Sequence, residues 1–231
     1  MIKDIRNYFI HHPQYSTLIS YASEEEKKDF NSRILQRLGI RVDEYSVLNI
    51  HKIGIDIPGR YVFEELMKWD DKSEYWPNDI ARIKRILGEL DHIEIYLFGI
   101  ERIFQLFGFK GFSLPPLFSM KKLRFNQTPQ TSDVDNARSL LYNCEGGYPI
   151  GIFSLYVRSS IEEQNEEEKT QLFSMVAFNY YGKKQWFFTH IINHFWEAIH
   201  NRVTSNILNR IRKIFEAKFN EVINSVGSIE D

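Results

Sequence analysis

The last forty or so residues, from about Trp186 to Val226, read as one long helix. Thr189 or Asn193 can cap it, and Arg202, Arg210, Arg212, Lys213 and Lys218 lie towards its C-terminal half, where cations complement the helix dipole. Ile191, Ile192, Phe195, Trp196, Ile199 and Val203 recur along one side. A helix with such a stripe must bury it against another layer. The rest of the chain has to supply that layer.

It supplies strands. SVLNIHKIGIDIPG, from Ser46, is rich in β-branched residues, with Ile53, Ile55 and Ile57 alternating before a Pro-Gly stop. GRYVFEELMKW follows as a short helix with Val62, Phe63, Leu66 and Met67 on one side. After ARIKRIL comes LDHIEIYLFG, where Ile93, Ile95 and Leu97 alternate with His92, Glu94 and Tyr96, the period of a strand with two unlike faces. FSMKKLRFNQ reads as another strand, and TPQTSDVDNA as a polar loop. ARSLLYNC and YPIGIFSLYVRSS, joined through a Gly pair, form a hairpin. TQLFSMVAFNYYG is the final strand.

Strands in series with short connections make an antiparallel meander. The expected fold is therefore α+β: a curved antiparallel sheet wrapped around a long C-terminal helix. Residues 1–45 form a helical N-terminal extension. There Ser23 caps, Glu26 stands at the capping-box position, Phe30, Ile34, Leu35 and Leu38 give the apolar stripe, and Gly39 ends the helix. Residues 46–226 are the main domain and 227–231 a tail.

This arrangement resembles the START-like, polyketide-cyclase-like superfamily of helix-grip (SRPBCC) proteins over residues 46–226. The likeness rests on the first strand ending in IDIPG and on RYVFEELMKW standing where that superfamily has a "vFe-x-l-x-d-W" helix. It rests also on the YWP turn before the second strand and on the long closing helix after LFSMVAFNYYG. Residues 1–45 lie outside the resemblance, and the aromatic segment 99–118 is longer than a typical family hairpin. The resemblance implies a space between sheet and helix that takes a hydrophobic or aromatic small molecule, lipid-like or polyketide-like. It implies no particular reaction.

The residues set limits on function. A net charge of −2 and a pI of about 6.4 give no global field for nucleic acid. The single cysteine, Cys144, excludes an intramolecular disulfide and a Cys-rich zinc site, and its neighbour Glu145 disfavours a thiolate nucleophile. No apolar run reaches the ~20 residues that span a bilayer, and the first residues lack a secretory hydrophobic core, so a cytoplasmic protein is expected. No G-x-S-x-G, Walker A or G-x-G-x-x-G run occurs. The basic stretch 209–218 is interrupted by Glu216 and carries apolar residues that need burial.

Candidate ligand-binding residues are Trp69 and Trp76, which flank the turn after the short helix, with Tyr96, Phe98, Phe153 and Trp196 as further wall positions. The plain alternative for both tryptophans is hinge packing. His190, His194, Glu197 and His200 have helical spacing for metal ligation, yet lie nearly opposite the apolar stripe, which predicts a water-facing row. No metal, cofactor or catalytic residue is assigned.

Segment 99–118, with Phe104, Phe107, Phe109, Phe112 and Phe118, is expected to be core, a lid, or an exposed patch for a protein partner or a membrane surface. Small-molecule binding ranks first. A protein-interaction domain with a filled core ranks second, and a cyclase or aromatase enzyme third.

Overall fold

A computed structural model describes residues 15–39, 47–68, 81–86, 89–97, 118–127, 138–145, 150–161, 168–178 and 187–227. Its framework is a seven-stranded antiparallel sheet of spatial order β1-β7-β6-β5-β4-β3-β2. The strands are β1 (Val47–Ile55), β2 (Ala81–Ile86), β3 (Glu89–Leu97), β4 (Phe118–Gln127), β5 (Arg138–Glu145), β6 (Ile150–Ile161) and β7 (Glu168–Phe178). Consecutive strands from β2 to β7 are neighbours, the meander the sequence predicts. β1 then closes against β7 in the register Ile53↔Leu172 and His51↔Ser174.

Among the described residues three helices accompany the sheet: α1 (Glu24–Leu38), α2 (Gly59–Met67) and α3 (Phe187–Gly227). α1 starts where its sequence says. Ser23 accepts a hydrogen bond from the Glu26 N–H at 3.1 Å, and Glu26 reaches back to the Ala22 N–H at 2.7 Å. That is one residue earlier than the standard capping box, which closes on the cap residue itself. Gly39 ends the helix in the left-handed region, φ 71°, where a side chain would be strained.

The period-2 alternation of strands sorts side chains onto two faces. On the inner face, Ile53, Ile55, Leu140, Tyr142, Leu155, Val157 and Leu172 pack with Val62, Phe63 and Leu66 of α2 and with Leu208, Ile211 and Phe215 of α3. On the outer face, Ile50, Tyr156, Phe173 and Met175 pack under Ile34, Leu35 and Leu38 of α1. β6 and β7 are thus covered on both sides, which is why LFSMVAF and IFSLYV are nearly continuous apolar runs rather than alternating ones.

The loop between β1 and α2 is fixed by two contacts. Thr170 donates its hydroxyl hydrogen to the Ile57 carbonyl at 2.6 Å. Gly59, the first residue of α2, lies against β6, and a Cβ there would collide with the Ser159 hydroxyl. Glycine is required by this close approach, since only its missing side chain lets the helix start there. α2 in turn meets α3. The Tyr61 and Phe219 rings pack edge to face at 5.0 Å, and the buried Glu65 carboxylate pairs with Lys68 and, at 3.4 Å, with Lys218.

β1 is an edge of the sheet, and an unpaired edge invites association. Residues 17–19 cover it. The Lys52 N–H donates to the Thr17 carbonyl at 2.8 Å and the Ile19 N–H to the Ile50 carbonyl at 3.1 Å. The N-terminal segment therefore runs along β1, between sheet and α3, before α1 crosses the outer face.

Candidate functional site

The inner face changes character along the strands. Successive cross-strand rows run Ile55–Thr170–Ser159, then Ile53–Leu172–Val157–Arg138, then His51–Ser174–Leu155–Leu140, then Asn49–Val176–Phe153–Tyr142. The row of Ile53 is filled by hydrocarbon from α2 and α3. The last two rows mix polar groups with rings, and the first of them meets Asn201, in the N-terminal half of α3, through His51.

His51 is the centre of the polar part, 1% exposed. Its Nδ1 lies 2.9 Å from the Thr17 hydroxyl and its Nε2 lies 3.1 Å from Asn201 Oδ1. With a carbonyl oxygen facing Nε2, that nitrogen carries the hydrogen and Nδ1 accepts from Thr17. Ser205, one turn after Asn201, accepts the Thr17 N–H at 3.2 Å and sits 3.1 Å from its hydroxyl oxygen. Asn209, a further turn on, donates to the Tyr15 carbonyl at 2.7 Å and to the Ser205 carbonyl at 2.8 Å. The arrangement joins the N-terminal segment, β1 and α3 through buried hydrogen bonds.

Burial pushes the His51 imidazole down to about 4, against the opposing effect of its bond to Asn201. It is neutral at physiological pH. Both ring nitrogens are engaged, so His51 has no free lone pair with which to act as a general base on a bound molecule.

Asn49 differs. It is 7% exposed, and its amide nitrogen is buried with no hydrogen-bond partner among the described residues. In the same row Phe153 is only partly buried, although Val176 and Tyr142 on either side of it are buried. The Phe153 and Tyr142 rings stack at 6.2 Å with 21° between their planes. The row thus presents an aromatic wall at one end and an unspent donor at the other.

Of the six wall positions expected from sequence, Phe153 is the one whose side chain is described, and it stands on the inner face. Tyr96 lies in β3, with Arg82 as its register partner, and Trp196 lies in α3; their side chains are outside the described set. Trp69, Trp76, Phe98 and the segment 99–117 lie outside the described residues. Tyr142 and Tyr156 are on neighbouring strands, as expected, but on opposite faces: Tyr156 packs against Phe173 beneath α1.

The water-facing row expected on the long helix needs correction. Glu197 and His200 are partly buried, Ala198 between them is exposed, and desolvation pushes the His200 imidazole down to about 4. The physical reason is that the buried stripe of α3 is mixed. Asn201, Ser205 and Asn209 share it with Leu208 and Phe215: Asn201 meets His51 of the sheet, Ser205 meets Thr17, and the Asn209 amide nitrogen donates to the Tyr15 and Ser205 carbonyls. Apolar spacing alone therefore misplaces the face. Thr17, Asn49, His51, Asn201 and Ser205 were all missed in the sequence. The signal was present in β1, where Asn49 and His51 occupy the same alternation as Ile53 and Ile55 and must share their face.

Among the described residues no group of three or more His, Cys, Asp or Glu is arranged to hold a metal ion. No described helix is long and apolar enough to cross a membrane. No protein-family model matches the chain, and no curated protein matches it in sequence. Among solved structures, the chain is similar to the Zhui aromatase/cyclase from Streptomyces sp. R1128, with 13% identity and a TM-score of 0.45, over 75% of this chain and 95% of that one. A likeness at that level carries no argument about activity.

Proposed function

We propose that the chain is a START-like helix-grip module that holds a hydrophobic or aromatic small molecule between the inner face of the sheet and the N-terminal half of α3. The sheet curls around α3, residues 46–226 form the binding unit, and residues 1–45 extend it. The observation that carries this reading is the row Asn49–Val176–Phe153–Tyr142, where a partly buried ring lies between buried neighbours and an amide nitrogen without a partner stands two strands away. Phe153 is one wall, with Trp196, Trp69, Trp76, Tyr96 and Phe98 as further wall positions. Burial of about 200 Å2 of apolar ligand surface favours binding by roughly 5 kcal/mol before association costs.

The network around His51 supports binding over catalysis, because its hydrogen-bonding capacity is already used within the protein. Purified protein extracted into organic solvent and analysed by mass spectrometry tests the proposal. A co-purified apolar molecule, absent from a Phe153→Asp preparation, supports it. An empty extract from a protein that also takes up no neutral hydrophobic dye contradicts it.

A further inference from the structure

Asn49 is the least expected residue of β1. Asparagine is disfavoured in strands, and a buried donor without a partner costs about 1–3 kcal/mol. Such a group in a folded protein calls for an explanation, and a ligand is one. Its neighbours on β1, Leu48 and Ile50, face α1 and do not reach it. The adjacent inner-face residue on β1, His51, has both nitrogens engaged by Thr17 and Asn201. Val176, its partner on β7, is apolar.

We propose, resting on the binding reading above, that Asn49 is the polar anchor of the inner-face site. The molecule it takes is neutral and mainly apolar, with a hydrogen-bond-accepting carbonyl oxygen. Asn49 and Phe153 are two strands apart in one row, about 10 Å at the spacing of a β-ladder. An apolar body over Phe153 therefore places its carbonyl oxygen at the Asn49 amide when the molecule is two fused rings long or of equal reach.

Neutrality follows from the groups nearby. The described polar groups of these two rows, Asn49, His51, Ser174 and the Tyr142 hydroxyl, are uncharged. Arg138 stands one row further on, over the Phe63 ring at 5.6 Å, and the Glu65 carboxylate with its two lysines lies where α2 meets α3. Glu197, one turn before Asn201 on α3, is itself acidic. An anion entering here loses its hydration without a counter-charge from those groups, and a neutral carbonyl does not incur that loss.

Three probes of one shape decide the matter: 2-acetylnaphthalene, 2-ethylnaphthalene and 2-naphthoate, each titrated calorimetrically into the full chain and into Asn49→Leu and Asn49→Val. The ketone-to-hydrocarbon affinity ratio is expected to be roughly three- to tenfold higher in the parent protein than in either variant. Naphthoate should bind weakest to the parent protein. Both variants should keep or raise the Tm, since each removes an unpaired buried donor, and two variants guard against one that fails to fold. A ratio unchanged by the substitutions, or naphthoate as the tightest probe, overturns the anchor while leaving apolar binding intact. No binding of any probe overturns both.

Discussion

His51 of β1 and Asn201 of α3 meet at 3.1 Å, 150 residues apart in sequence, and Thr17 completes the bond on the other side of the imidazole. Both histidine nitrogens are satisfied inside the protein, so the ring acts as a neutral bridge between sheet and helix. Replacing Asn201 by leucine strands the Nε2 hydrogen in a buried place. Unfolding in urea should show a loss of about 1–3 kcal/mol. In the double variant His51→Leu/Asn201→Leu the second substitution should cost less than it does alone. Strictly additive losses would mean that the pair is not coupled.

Acid should weaken the same bridge. The folded His51 has its pKa lowered to about 4 from an unfolded value near 6.5, so between these pH values the unfolded chain binds the extra proton. Stability is therefore fully present above pH ~6.5 and falls as pH drops towards ~4. The contribution of His51 is on the order of 3 kcal/mol, and His200 acts with the same sign. Urea midpoints measured from pH 7 to pH 4 should fall, and should fall less in His51→Gln. A flat profile in the parent protein would show that His51 is not held neutral.

Gly59 and Ser159 set the junction of α2 with β6. Gly59→Ala forces a methyl into the Ser159 side chain and should cost about 1–3 kcal/mol, as overpacking does. Ser159→Gly in the same chain should recover part of that loss. A Gly59→Ala protein with an unchanged midpoint would mean that α2 starts further from the sheet.

Leu35 of α1 is 1% exposed against the outer face of the sheet. Leu35→Ala should lower stability by about 2–5 kcal/mol, the range for a large buried residue cut to alanine. A loss below about 0.5 kcal/mol, typical of surface positions, would mean that α1 is not packed as described.

The sequence made the architecture readable because its signals were local. The Ser23 cap, the Gly39 stop, the Pro-Gly after β1 and the Gly pair between β5 and β6 each mark an element end within a few residues. The candidate site was less readable. His51, Asn201 and Thr17 come from three distant segments, and no local pattern says that one polar group will meet another. The polar residues on the buried stripe of α3 also shifted Glu197 and His200 from the expected water-facing row to a partly buried one, because an asparagine or serine with hydrogen-bond partners can be buried without an apolar signature. Unbroken apolar strands such as LFSMVAF did carry a message, that both faces are covered. The cover is α1, which the sequence shows only as a helix with an apolar stripe.

Whether the inner face beside Phe153 takes an apolar molecule is read out by a fluorescence titration with the neutral naphthalene ketone dye prodan. Uptake of one dye per chain should saturate, with a blue-shifted emission. Affinity should weaken about tenfold in Phe153→Ala, a loss of ~1.4 kcal/mol of contact with one wall ring. Uptake that never saturates, or that Phe153→Ala leaves unchanged, would contradict binding at that face.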